Sequence, residues 1–283
     1  MVESAGIIVS YATVQRDSDT VRPRLAVFKF ASCDGCQLQL LSCEDELLLI
    51  SERFEIVHFL EASSHSEPGP YDIALVEGSI TTPDDRKRIR LVRDQSKVLV
   101  TIGACATAGG IQALKNWGDR SEFLRCVYAE PSYIQTLATS TAIRDHVAVD
   151  FELRGCPINR YQLLEVLRSL LQGRRPKTPA HSVCMDCKLN GTVCIAVASD
   201  TACIGPITQS GCGAICPKYN RGCYGCFGPV AQSNCDSLTD KYIDQGVAPS
   251  QLVTLMRNFN ANAPEFREAG DRIDPATNPG ELS

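Results

Sequence analysis

Between Cys184 and Cys226 the chain sets eight cysteines within 43 residues, and no other stretch so narrows what it can fold into. The set runs Cys184-x2-Cys187-x6-Cys194-x8-Cys203, then Cys212-x3-Cys216-Pro217-x6-Cys223-x2-Cys226. Glycines and prolines interrupt it, and its apolar periodicity is too weak for a hydrocarbon core. Bound metal would supply the missing folding energy, as it does in small metallo-domains. Fifteen cysteines occur in all, an odd total that argues against a fully paired disulfide framework.

The 283 residues, 44% hydrophobic and 22% charged, suit a soluble globular protein of one large domain or two ordinary ones. Charges or glycines break the longest apolar runs, so no membrane span is expected. Residues Met1 to Thr20 lack a basic region, an apolar stretch and a small-residue cleavage site, which makes the cytoplasm the expected compartment. A reducing compartment disfavours disulfides and leaves metal as the usual role for so many thiols. With a formal net charge of -5 and no basic stripe, nucleic acid is not an expected partner.

Ahead of the cysteine-rich stretch, strand and helix patterns alternate. Strands are predicted over Arg24 to Phe30, Ile56 to Leu60, Asp72 to Val76, Lys97 to Ile102 and Val147 to Leu153. Helices are predicted over Gln37 to Ser51, from Pro83 with Asp84 and Asp85 in its first turn, and over Ile158 to Gln172. The alternation predicts an α/β fold with a mostly parallel sheet. Gly173 stops the last helix, and Arg174 to Pro179 reads as a connector. The expected organisation is an extension over 1–23, a sheet domain over 24–178 and a smaller irregular domain over 179–283. In the last, one helix is predicted over Ser250 to Phe259, with a loop-rich tail from Asn260.

Four further cysteines fall where predicted strands end. Cys33 and Cys36 follow the first strand, Cys105 follows VLVTIG, and Cys156 follows VDFELRG. Ligands of open α/β sheets bind beyond the carboxyl ends of the strands, so these thiols could converge and hold one 4Fe-4S cube. Gly35, Gly103, Gly109, Gly110 and Gly155 would let the backbone approach such a group, and Pro157 stiffens the last turn. Glu77 belongs to the same edge, as a proton or interface group or as a simple loop residue. A CxxC between strand and helix is also the thiol-disulfide oxidoreductase arrangement. The two extra cysteines at matching strand ends favour the cluster.

The C-terminal eight make two tetrads. Sequential division is simplest, although in two-cluster ferredoxins the last thiol of one motif serves the other cluster. Zinc would be a structural alternative, needing two sites in one short segment without interleaved histidines. His181 stands three residues before Cys184 as a candidate ligand in place of a cysteine, or as a solvated linker residue. Cys43, Cys126 and Cys235 lie outside the groups and read as buried free thiols. The stretch Gly103 to Gly110 contains neither GxxxxGK[ST] nor GxGxxG, so nucleotide binding is expected on a partner.

Taken together, CxxC after the first strand, a lone Gly-x-Cys, a Gly-Cys-Pro and eight cysteines ending in Cys-x-Gly-Cys-x-Gly-Pro resemble the small subunit of nickel-iron hydrogenases. The match runs from about Arg24 to Pro229. The resemblance implies a flavodoxin-like domain with a proximal cluster on Cys33, Cys36, Cys105 and Cys156. It implies a medial cluster on Cys212, Cys216, Cys223 and Cys226, and a distal one on Cys184, Cys187, Cys194 and Cys203. The absence of a twin-arginine leader and membrane anchor, and the all-cysteine distal site, tilt it toward the cytoplasmic sulfhydrogenase-type subunit called delta. In that family the nickel-iron centre lies in the large subunit, while FAD and NAD(P) belong to other iron-sulfur and flavin-binding partners. This chain would then relay electrons and hold no catalytic residue. A complex I-type cluster subunit shares the sheet domain, but it uses a tandem Cys-Cys absent here and lacks the C-terminal eight.

Overall fold

The computed structural model describes residues 22–274 and Ala276; of the expected N-terminal extension, residues 1–21 lie outside the described residues. Five strands form one parallel sheet: β1 (Arg24–Lys29), β2 (Glu55–Phe59), β3 (Tyr71–Glu77), β4 (Ser96–Ile102) and β5 (Phe151–Leu153). Their order is β2-β1-β3-β4-β5, the flavodoxin-like doubly wound arrangement. Helices in the first part are α1 (Gly35–Leu41), α2 (Asp45–Arg53), α3 (Pro83–Asp94), α4 (Gly103–Ala108), α5 (Arg120–Val127) and α6 (Arg160–Leu171). Later come α7 (Val183–Leu189), α8 (Ile195–Ala198), α9 (Ile215–Lys218), α10 (Cys235–Asp244), α11 (Pro249–Met256) and α12 (Pro264–Ile273).

Side chains alternate across the sheet, and both faces are covered, as parallel sheets require. Leu25, Val27, Ile73, Leu75, Val100 and Ile102 pack against Leu163, Val166, Leu167 and Leu170 of α6. The intervening Ala26, Phe28, Ala74, Val76 and Leu99 pack against Ile89 and Val92 of α3. The start of α3 is a capping box: Thr82 Oγ1 accepts from Asp85 N at 3.0 Å, and the Asp85 carboxylate accepts from Thr82 N at 3.0 Å. Among the described residues, no helix is long and apolar enough to cross a membrane.

Three expectations are corrected. The helix predicted over Gln37 to Ser51 breaks between α1 and α2, where Glu44 takes φ 46°. Leu40 and Ile50 both enter the core, one from each of the two short helices. The last strand is shorter than predicted because Val147 and Val149 pack under the α3 face, while the Asp150 carboxylate takes Leu99 N at 2.7 Å and Arg93 at 2.6 Å.

The tail from Asn260 is not loop-rich. In α12, Phe266, Ala269, Gly270 and Ile273 are buried at i, i+3, i+4 and i+7. Phe266 and Ala269 join Val183, Ile204, Ile207 and Met256 in an apolar cluster that also takes in Cys203 and Cys223. Helix α10, which the apolar pattern did not reveal, places Tyr242 against Cys203, donating to its carbonyl at 3.0 Å and accepting from its amide at 2.9 Å. Because Phe266 is only 1% exposed, Phe266→Ala should lose about 3–5 kcal/mol, read as a lowered denaturant midpoint. A midpoint unchanged from the parent would show that α12 is not part of the core.

Candidate functional site

Four cysteines lie beyond the carboxyl ends of the parallel strands. Cys33 follows β1, Cys36 is in the first turn of α1, Cys105 lies in α4 directly after β4, and Cys156 follows β5 by three residues. Burial pushes the Cys36 thiol up, with the charges of Glu77, Cys105 and Cys156 adding to it. Cys105 rises to about 12, again through burial, with Cys156 and Cys33 contributing. Cys156 is raised by burial and then by Cys33. The four sulfurs are therefore close enough to act on one another.

The last residue of β3, Glu77, is 1% exposed and closes this edge. Its carboxylate accepts from Cys36 N at 3.1 Å, Gln37 N at 3.2 Å and Gln37 Nε2 at 2.9 Å. Burial pushes its own carboxyl up, against the pull of those three bonds. It is neither a loop residue nor a surface acid. Gln112 completes the surround, its Oε1 taking the Cys105 thiol at 3.5 Å and its Nε2 donating to Ala31 O at 2.8 Å. Gln37 and Tyr242 escape a sequence reading because their partners lie far along the chain, as does the Ala31 partner of Gln112.

The later eight cysteines fall in neighbourhoods that overlap: Cys223, raised by burial to about 12, has Cys203 ahead of Cys212 among its sulfur neighbours. Cys184 is pushed up to about 11 by burial and then by the charges of Cys203, Cys187 and Cys194. Burial also raises Cys226, followed by Cys212, Cys223, Cys216 and, last, Cys156. The neighbourhoods touch each other, since Cys223 N donates to Cys203 Sγ at 3.2 Å. Cys33 and Cys194 are exposed, Cys203 and Cys223 buried. Asn190 Nδ2 ties the end of α7 to Gly213 O at 3.2 Å, next to Cys212.

Whether these residues suit an iron-sulfur group can be judged from their donors and surroundings. All twelve candidate ligands are sulfurs, the soft donors that iron-sulfur clusters take. No disulfide joins them, and a bound metal would hold them as thiolates against the burial that favours the neutral thiol. Bare backbone stands beside the sulfurs: a Cβ on Gly103, at φ +86°, would overlap Cys36 Sγ. A Cβ on Gly205 would lie 3.3 Å from Cys203 Sγ and 3.6 Å from Cys184 Sγ. These cradles fit a bulky group. Among the described residues, no three His, Cys, Asp or Glu side chains converge on a single-ion site.

Other candidates fall elsewhere. His181 Nε2 meets Asp186 Oδ1 at 2.8 Å, and the same carboxylate accepts from Ser210. Cys43 and Cys235 are buried as expected, whereas Cys126 is exposed because α5 buries no residue.

Comparison with known proteins gives a consistent picture. The family model described as NADH ubiquinone oxidoreductase, 20 Kd subunit, matches residues 33–170. Sulfhydrogenase 2 subunit delta of Pyrococcus furiosus is 36% identical over 202 residues, covering 71% of this chain and 84% of that protein. One subunit of the vhu F420-non-reducing hydrogenase of Methanocaldococcus jannaschii is 30% identical over 239 residues, covering 73% and 83%. Among solved structures, an NAD+-reducing NiFe-hydrogenase in the H2-reduced state matches with a TM-score of 0.53 and 27% identity. That match covers 56% of this chain and 96% of the other.

Proposed function

The chain belongs to the hydrogenase small-subunit family, and from that premise we propose that it is the electron relay of a multimeric cytoplasmic nickel-iron hydrogenase. Its residues would hold three 4Fe-4S clusters, which when bound supply reversible one-electron storage. Cys33, Cys36, Cys105 and Cys156 would hold the first, at the edge of a flavodoxin-like domain spanning 24–178. Cys212, Cys216, Cys223 and Cys226 would hold the second, and Cys184, Cys187, Cys194 and Cys203 the third, within a domain spanning 179–283.

One observation carries this reading: the cysteine groups adjoin one another in order between two exposed ends. The residues before Cys156 and Cys212 both meet the Phe227 ring beside Cys226, the Cys223 amide donates to Cys203 Sγ at 3.2 Å, and Cys33 and Cys194 are exposed. A scaffold has no need of such a line. Near Cys194 in sequence, Leu189, Val193 and Val197 are 78%, 69% and 77% exposed, apolar side chains that a partner at this end would cover. The Cys33 end would face the large subunit with its nickel-iron centre. The Cys194 end would face an iron-sulfur and flavin partner that exchanges electrons with NAD(P), as the NAD+-reducing relative suggests. The family model stops at residue 170, before the eight later cysteines, and the two hydrogenase relatives align over more of the chain than that model does.

Purification of the native complex under anaerobic conditions tests the proposal. Nickel, flavin and at least about twelve irons per copy of this chain, three four-iron cubes beside the partners' own iron, should accompany it. Zinc without iron or acid-labile sulfide would overturn it.

A further inference from the structure

One buried aromatic ring touches the turns of both inner cysteine groups. Phe227 directly follows Cys226 and is 4% exposed. A Cβ on Gly155, the residue before Cys156, would lie 3.1 Å from Phe227 Cζ. A Cβ on Gly211, the residue before Cys212, would overlap the Cε1 and Cδ1 edge of the same ring. The Cδ1–Cε1–Cζ edge of the ring therefore lies against bare backbone at both turns. Polar ties surround it: Gly211 O accepts from Asn159 Nδ2 at 3.0 Å and from Gln162 Nε2 at 3.3 Å. Arg154 Nη1 donates to Pro229 O at 2.8 Å, two residues beyond the ring. These bonds tie the β5–α6 turn to the two later turns beside Phe227, whose ring edge meets the backbone of both.

Resting on the relay reading above, we propose that Phe227 is a positioning residue, the spacer that fixes the separation of the first and second thiol groups and thereby the rate of electron passage between them. In the direction of hydrogen oxidation, H2 split at the partner's nickel-iron site yields two protons and two electrons. Each electron would pass from a cluster held by Cys156 and its partners to one held by Cys212, Cys226 and theirs, with no bond in this chain formed or broken. Because tunnelling falls steeply with distance, a shift of the two turns changes the rate without changing the ligands. Gly211 serves this contact, since any side chain there would displace the ring.

The test compares Phe227→Ala and Phe227→Met in the assembled complex, methionine filling much of the vacated volume with an adaptable side chain. Three quantities are read: iron and acid-labile sulfide per chain, magnetic interaction between neighbouring reduced clusters by electron paramagnetic resonance, and the pre-steady-state rate of electron arrival at the terminal acceptor. Phe227→Ala should keep native iron while its magnetic interaction changes and its transfer rate shifts several-fold; Phe227→Met should lie between it and the parent. If alanine costs iron and methionine does not, the methionine variant is judged by the same two readouts. Native iron with unaltered interaction and rate would overturn the spacer role. So would loss of iron from both variants, which would make the ring a clamp that retains the second group. A parent complex free of iron would instead sink the relay reading itself.

Discussion

Stripping iron from the assembled complex with a chelator under reducing conditions will unfold the stretch from Cys184 to Cys226 and leave the parallel sheet standing. The two parts owe their stability to different things. The sheet has an apolar cluster on each face, with Leu25, Leu75 and Leu163 on one side and Val76, Ile89 and Leu99 on the other, all inaccessible to water. In the later part the cysteines are themselves core residues: Cys203 and Cys223 sit with Ile204, Ile207 and Phe266. Helices α7, α8 and α9 have seven, four and four residues, too short to persist alone.

Structural metal can contribute about 10 kcal/mol or more to folding, against about 5–15 kcal/mol for a whole protein of ordinary stability. Losing it removes more than the segment retains. Without metal the thiols must stay protonated, since burial holds Cys223 near 12 and, with its sulfur neighbours, Cys184 near 11. Limited proteolysis with mass spectrometry measures the outcome. First cuts between Cys184 and Cys226, with a surviving fragment that includes Arg24 to Leu171, are expected. A segment equally resistant with and without iron would show that it folds on its hydrocarbon contacts.

How much of the fold is legible in the amino-acid sequence follows physical range. The β3 residues Ile73 to Val76 form a continuous apolar run that divides between two cores, the local signature of a strand buried on both faces. The capping box at Thr82 and Asp85 is equally local, and so is the position of Cys33, Cys105 and Cys156 just past apolar runs. Helix α12 was hidden because its buried stripe contains Ala269 and Gly270 between Phe266 and Ile273, and small residues give little hydrophobic contrast. The break at Glu44 leaves Leu40 and Ile50 in the same core from two short helices, which is a tertiary arrangement. Tyr242 and Phe227 meet cysteine turns many residues away, and no spacing rule announces such contacts. Cys126 shows the converse: a thiol on an amphipathic-looking segment is buried only if something packs over it.

Glu77→Ala should be among the most damaging single substitutions in the sheet region. A buried carboxylate at the end of β3 is taking the place of the missing turn at the start of α1, whose first amides have no partner within the helix. Removing it strands three donors, Cys36 N, Gln37 N and Gln37 Nε2, in a site closed to water. Each buried donor left unsatisfied costs about 1–3 kcal/mol, so the sum approaches the whole stability of an ordinary domain. Glu77→Gln keeps the shape but not the chemistry. Oε1 serves the Cys36 amide and Oε2 both Gln37 donors, so an amide nitrogen in either position would face a donor with another donor. Its loss should be intermediate. Because one stranded amide belongs to Cys36, the damage should fall on the first group: the alanine variant should lack about four irons per chain. Denaturant midpoints and iron content of both variants measure this. A Glu77→Ala complex with the parental midpoint and full iron would mean that α1 is held in place by other contacts, and that the carboxylate has a purpose other than fixing the Cys33–Cys36 turn.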